Sequence, residues 1–331
     1  MLPRPLARAT DAVLEGTIVL SFSRVGHAVR SRLEAWEPLD ALDGTGRRVV
    51  VTGANSGLGY ATTRALLRTG AEVVLVVRSE AKGRDTRARL AADLGRDVAA
   101  STQVEIADLA ELDSVRALAA RLLADERRID TLIHNAGAMF DDKQQTVDGL
   151  ERTYQVHVVG PFLLTGLLLD RLADDAPTRV ITVTSGGMYA EKLVTRRVDS
   201  PGGYKPTVAY ARAKRAQVTL TTEWARRFSD RGIDFHVVHP GWALTPGVES
   251  SLPGFRKLTG PILRDADQGA DTISWLALAE VQSSGRLWHD RRPRAEHKLP
   301  WTRPEPGESA RLWQRVGDDA GIEPAIDPVR S

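Results

Sequence analysis

The stretch TVAYARAKRAQVTL, residues 207–220, sets Tyr210 and Lys214 four apart in a run that reads as helix. Residues at that spacing lie on one helix face with Cβ atoms about 5–6 Å apart, so a phenol and an ammonium can share one site. A phenol ordinarily keeps its proton to about pH 10. A neighbouring ammonium stabilises the phenolate and brings the group towards acid–base work. On the exposed face of an Arg-rich helix the same pair would be two solvated side chains, and the pentapeptide YARAK alone does not decide between the two.

A second segment, VVVTGANSGLGYATTRALLRTG, places Gly53, Gly57 and Gly59 between an apolar strand and an amphipathic helix, with Asn55, Ser56 and Leu58 in the same turn. Missing side chains there let backbone approach a pyrophosphate, and the helix N-terminus favours its charge. A second strand follows, which is the context the motif requires. It runs out in VVLVVRSEAKG, with Arg78 where an acidic residue would take the ribose hydroxyls of NAD. A guanidinium forks onto a 2′-phosphate instead, which favours NADP(H) over NAD(H). The bland alternative is that Arg78 is a solvated surface residue.

The elements that must position these groups begin near residue 47. Short apolar runs alternate from there with helices expected near 57–69, 80–93, 111–125, 147–170 and 266–279, and a last short strand is expected in GRLWHD. Nearly all-apolar strands separated by helices imply α/β architecture: a Rossmann-type doubly wound parallel sheet of about seven strands, covered on both faces, over residues 46–290. Residues 1–45 read as a helical extension, because Leu14, Ile18, Phe22, Val25, Val29, Leu33 and Trp36 recur every three or four positions despite Gly16 and Gly26. Such a stripe is expected to pack on its own domain or a second subunit, with peripheral membrane contact as the alternative. VLEGTIVLSF follows Arg4 and Arg8 like a signal-peptide core, but Asp11 and Glu15 argue against that. No apolar run of about 18 residues marks a transmembrane helix. Residues 291–331 read as a Pro- and Arg-rich tail that wraps the domain or frays, with one short helix around ESARLWQRV.

Composition excludes several classes. A net charge of +2 gives no strong field for nucleic acid, and no basic stripe carries interleaved aromatics. The count of 0 cysteines removes disulfides, thiol nucleophiles and thiolate zinc sites, and fits a reducing, cytoplasmic setting. His236 and His239 stand three apart in an apparent strand and so point to opposite faces, which leaves no metal site expected.

Four segments in this order, TGANSGLG (52–59), NAG (135–137), TVTSGG (182–187) and YARAK (210–214), resemble the signatures of the short-chain dehydrogenase/reductase superfamily across roughly residues 46–290. TSGGMYAEKL, HPGWALTPGV and GRLWHDRRPR resemble more narrowly the dehydrogenase/reductase family member 12 group and its bacterial relatives. The resemblance implies an NAD(P)-dependent oxidoreductase acting on CH–OH or C=O groups. It implies Tyr210 as proton donor or acceptor, Ser185 as hydrogen-bond donor to the substrate oxygen, and Lys214 as holder of the nicotinamide ribose. It also places Asp108 and Leu109 at the adenine, Asn135, Ala136 and Gly137 along the adenosine side, and Pro240, Gly241 and Thr245 near the carboxamide. His157 stands where the superfamily usually has a water-anchoring asparagine, and is either a substitute in the proton relay or a packed helix residue. A homo-oligomer through the Tyr210 helix and the helix before it is implied as well.

Ligands sit beyond the carboxyl ends of parallel strands, so connections 186–208 and 242–265 are expected to form the substrate mouth. They carry Met188, Tyr189, Tyr204, Trp242, Leu244, Leu252 and Phe255, which either wall a substrate or are simply a packed lid. An apolar carbonyl or secondary alcohol, lipid-, steroid- or terpenoid-like, is the expected small-molecule partner. Two rivals stand beside this: a cofactor-binding regulator without turnover, for which His157 is the hint, and a sugar-nucleotide epimerase, which the glycine spacing disfavours.

Overall fold

The structure, a computed structural model, describes residues 4–244 and 259–322. Strand β1 (Arg48–Thr52) is buried throughout; Val49 and Val51 feed one core and Val50 the other, the alternation that covers a sheet on both faces. The remaining strands are β2 (Glu72–Val77), β3 (Thr102–Ile106), β4 (Thr131–His134), β5 (Thr178–Val183), β6 (Ile233–Val238), β7 (Arg286–His289) and β8 (Arg292–Arg294). Their order is β3-β2-β1-β4-β5-β6-β7-β8. The first seven pair in parallel, and β8 returns antiparallel to β7. The strand order reverses between β1 and β4, which opens the crevice where such sheets bind ligands.

The eighth strand lies beyond the roughly seven expected. Its two-residue turn is Asp290 and Arg291, both left-handed at φ 52 and 53, the conformation a tight hairpin requires. No glycine marks the spot, so the turn carries no ordinary hairpin signal, and the sheet runs past residue 290 into the tail.

The N-terminal extension is three helices, α1 (Arg4–Gly16), α2 (Ile18–Phe22) and α3 (Arg24–Leu33). Thr17 breaks the first junction in extended backbone, and the Ser23 hydroxyl caps α3 by accepting from the Val25 N–H. A Cβ on Gly26 would lie 2.3 Å from the Ser21 carbonyl oxygen, so glycine lets α2 and α3 cross closely. The expected stripe is therefore split: Leu14 and Phe22 are buried while Ile18 and Val25 face out. Ion pairs dock the bundle on the β7–β8 hairpin, with Arg30 2.7 Å from both Asp11 and Asp290, and Arg294 2.7 Å from Asp11.

On one face of the sheet lie α4 (Gly57–Arg68), α5 (Glu80–Leu94), α6 (Arg96–Ala100) and, further along the chain, a helix at Ala266–Leu278. On the other lie α7 (Leu112–Ala124), α8 (Arg152–Asp174) and α9 (Pro206–Arg227); the helix at 266–278 is α10. Helix α8 starts at Arg152, not near 147, because the Glu151 carboxylate caps it, accepting from the Thr153 and Tyr154 N–H groups at 2.8 and 2.9 Å. Among the described residues it alone is long and apolar enough to cross a membrane, and it lies in the core of this fold.

A last helix, α11 (Glu308–Ala320), folds back on α8 and α9. Trp313 packs against Phe162 and Trp224 with ring centroids 4.9 and 4.7 Å apart, and Asp319 accepts from the Tyr154 hydroxyl at 2.8 Å. This is the face that the resemblance marks for a second subunit. Here the chain's own C-terminal helix occupies it.

Candidate active site

A cavity of about 540 Å³ opens at the carboxyl ends of β1, β4, β5 and β6. Its first wall is the glycine turn, lined by Gly53, Asn55, Ser56, Gly57 and Leu58. Gly53 and Gly57 are left-handed at φ 67 and 52, which other residues rarely adopt. Gly59 does not line the cavity: a Cβ there would lie 2.2 Å from the Gly53 carbonyl oxygen, so it is the residue that lets α4 start against β1. Asn135 clamps the turn from β4, donating through Nδ2 to the Thr52 carbonyl at 3.0 Å, while its N–H and that of Ala136 donate to Thr52 Oγ1. Ala136, Gly137, Asp108, Leu109 and the exposed Arg78 complete this half. Bare backbone at a helix N-terminus fits the pyrophosphate of a dinucleotide, and the Arg78 guanidinium at the rim makes no ion pair among the described residues.

The second half holds Ser185, Tyr210, Lys214, Pro240 and Gly241. Thr184 donates through Oγ1 to the Lys214 carbonyl at 2.9 Å, and Lys214 Nζ donates to the Val183 carbonyl at 2.9 Å, so the end of β5 and helix α9 are stitched together. Ser185 and Tyr210 stand together in the cavity wall, and Lys214 Nζ lies 5.4 Å from the Tyr210 ring centre. The expected lowering of the phenol is not what the environment gives. Burial raises it above its ordinary value, with the Ser185 hydrogen bond pulling the other way, and burial pushes Lys214 down to about 7. Near neutral pH the lysine, buried against the Val183 carbonyl, is therefore only about half charged.

His157 lies behind this wall rather than in the cavity, in a π-helical turn, Gln155–Val159, of α8. Such turns recur at functional sites. Its ring meets Tyr210 edge-on at 5.3 Å, its Nε2 lies 2.8 Å from the Ala138 carbonyl oxygen, and its own carbonyl accepts from Gln217 Nε2 at 2.8 Å. Burial, helped by the charge of Lys214, pushes it down to about 3, so the ring is neutral. A Cβ on Gly137 would sit 2.3 Å from this ring, which is why the third residue of NAG has no side chain.

The apolar end of the cavity differs from the expected mouth. Trp242 lines it, but Met188 and Tyr189 are buried with Phe22, Tyr204 turns away to donate to the Phe140 carbonyl at 2.9 Å, and Leu244 lies outside the lining. Thr245, Leu252 and Phe255 fall outside the described residues. Met139, Phe140, Arg152, Val156 and Thr207 line the cavity instead. The missed signal was positional: the residues after NAG and the first turn of the next helix stand at the same sheet edge as Ser185 and Tyr210.

The family model for short chain dehydrogenase matches residues 47–254. The chain is 38% identical to the human protein "Dehydrogenase/reductase SDR family member 12" over 272 residues, 81% of this chain and 84% of that one. It is 36% identical to mouse "Retinol dehydrogenase 12" over 249 residues, 74% of this chain and 78% of that one. Among solved structures, an uncharacterised protein from Mycobacterium Paratuberculosis superposes with a TM-score of 0.69 at 28% identity, covering 88% of this chain and 99% of that one.

Proposed function

The chain belongs to the short-chain dehydrogenase/reductase family, oxidoreductases of CH–OH and C=O groups, and we propose that it is an NADPH-dependent carbonyl reductase, run in reverse as a secondary-alcohol dehydrogenase, for an apolar substrate. The observation that carries this is the meeting of Ser185, Tyr210 and Lys214 in one cavity with the glycine turn. Gly53, Ser56, Gly57 and Leu58 would hold the pyrophosphate, Arg78 a 2′-phosphate, and Lys214 the nicotinamide ribose. When bound, the nicotinamide supplies or accepts a hydride. Tyr210, kept protonated by its buried setting, donates its proton to the carbonyl oxygen as negative charge develops there, and Ser185 donates a hydrogen bond to the same oxygen. Oxidation is the reverse, with Tyr210 taking the proton. Met139, Phe140, Val156 and Trp242 give the substrate end its apolar wall. NADPH oxidation followed across a panel of hydrophobic ketones tests this: the expected result is turnover that Tyr210→Phe abolishes. Tight NADPH binding with no turnover of any ketone or alcohol would point to the regulator.

A second element of this reading is the location of the chain, in the cytoplasm against an anionic lipid surface. In the N-terminal bundle Val13, Val19 and Leu20 are exposed by 72%, 50% and 45%, beside Ile18 and Val25. Its only acids, Asp11 and Glu15, turn inward to Arg30, Arg294 and Lys298, which leaves Arg8, Arg24 and Arg32 as the exposed charges of the bundle. Exposed apolar side chains on a bundle that also exposes cations suit an anionic interface. The protein should sediment with phosphatidylglycerol-containing vesicles and lose that on Ile18→Glu; failure to sediment with them would end this part of the reading.

A further inference from the structure

The loop at residues 240–244 lines the cavity through Pro240, Gly241, Trp242 and Ala243. Under the proposed function it faces the nicotinamide end. Arg264 grips it twice. The Arg264 N–H donates to the Trp242 carbonyl at 2.8 Å and its carbonyl accepts from the Leu244 N–H at 2.8 Å, while its side-chain Nη1 donates to the Pro240 carbonyl at 3.3 Å. The side chain lies so close beneath Gly241 that a Cβ there would be 2.4 Å from Nε, and Gly241 is left-handed at φ 79.

The guanidinium is aimed from behind. Asp290 takes it in a fork, Oδ1 at 2.6 Å and Oδ2 at 2.9 Å, and Arg30 of α3 donates to the same Oδ2 at 2.7 Å. Arg264 also donates to the Ser21 and Ser23 carbonyls, at 3.1 and 3.2 Å, where α2 ends. Arg30 and Asp290 are 0% exposed and Arg264 is 1% exposed. Burying three ions to hold a loop is costly when apolar packing would stabilise it as well, whereas a forked pair fixes orientation in a way that apolar packing does not.

We propose that Arg264 is a positioning residue for the nicotinamide end of the site, aimed by Asp290 and Arg30, so that the N-terminal helices act on hydride-transfer geometry through residues 240–244. The inference rests on the cofactor assignment above. A merely structural network would support the sheet and leave the two ends of the cofactor equally affected.

The test compares affinity for whole NADPH with affinity for its adenosine half, 2′,5′-ADP, in the full chain and in Arg264→Lys and Asp290→Asn. Lysine keeps the charge without the fork, and asparagine keeps the shape without the charge. The number of 2′,5′-ADP sites per molecule counts correctly folded protein in each sample. The expected result is 2′,5′-ADP affinity within about twofold of wild type, NADPH affinity down about tenfold, and kcat down about 10- to 100-fold, as a misplacement near 1 Å would give. Parallel loss of both affinities, no loss of either, or failure of both variants to bind 2′,5′-ADP at all would overturn the proposal. Wild-type protein that binds 2′,5′-ADP and NADPH while the variants show no difference refutes this inference alone; wild-type protein that binds neither refutes the cofactor assignment on which it rests.

Discussion

The glycine turn after β1 and the ionic knot behind residues 240–244 both hold backbone at the edge of one cavity, by opposite means. The turn uses absence: left-handed glycines, an asparagine clamp from β4 and a helix end, with no buried charge. The knot uses excess: Arg30, Asp290 and Arg264 buried together, where burial works against the Asp290 carboxylate but the charges of His289, Arg264 and Arg30 outweigh it and hold it well below the usual range. A motif spanning eight residues builds the first. The second joins α3 to the β7–β8 turn and the segment after β6, both more than 200 residues further along the chain.

The knot should therefore be where stability is concentrated. Asp290→Ala leaves the Arg264 guanidinium buried without its carboxylate and removes one of the partners of Arg30, which keeps Asp11, and should destabilise the protein by about 3–5 kcal/mol in urea unfolding, as loss of one partner from a buried pair does. A loss under about 1 kcal/mol would mean that water or Asp11 screens the knot and that the contrast between the regions is false.

Chemistry should be concentrated instead across the cavity from the glycine turn, on helix α9. Tyr210→Phe should lower kcat by about 10²–10⁴-fold, the range for a lost general acid, with NADPH affinity and unfolding midpoint near wild type. Equal loss in binding and in rate would make Tyr210 a packing residue.

The sign of the Lys214 effect sharpens the contrast, since it is a buried cation with no carboxylate. Its pKa falls from 10.5 to about 7 on folding, so between those values the unfolded chain holds the extra proton and stability rises with pH. Below about 7 the full penalty of burying the charge applies. Lys214→Met should accordingly gain most over wild type at pH 6, by a few kcal/mol, with the gain shrinking as pH rises towards 10. A pH-independent difference would show that the ammonium has a partner in the folded protein.

The two regions also differ in how far they could be read before the structure. The glycine turn, Asn135 and Ser185 lie at strand ends and Tyr210 and Lys214 one turn apart on helix α9, where local patterns announce them, and all but the packing glycine Gly59 line one cavity. Asp11, Arg30, Arg264 and Asp290 carried no such signal. Each is one charged residue among many, and only the parallel order of β6 and β7 brings them together. The same limit hid β8, whose turn has no glycine, and it hid where the short helix expected around ESARLWQRV docks, with Trp313 against Phe162 and Trp224. It also misassigned Met188 and Tyr189, since their loop packs inward against α9, where Arg215 Nε donates to the Met188 carbonyl at 3.0 Å.

The smallest effect is also the most direct check of the cofactor assignment. Fluorescence titration of NADPH and NADH should show tighter NADPH binding, and Arg78→Ala should weaken NADPH by about tenfold, the worth of one charge-assisted contact at a partly solvated rim, while leaving NADH unchanged. That result would tie the glycine turn, Arg78 and the catalytic cavity into one NADPH site. Tighter NADH binding, or equal loss of both cofactors in Arg78→Ala, would contradict the account, and binding of neither would remove its central claim.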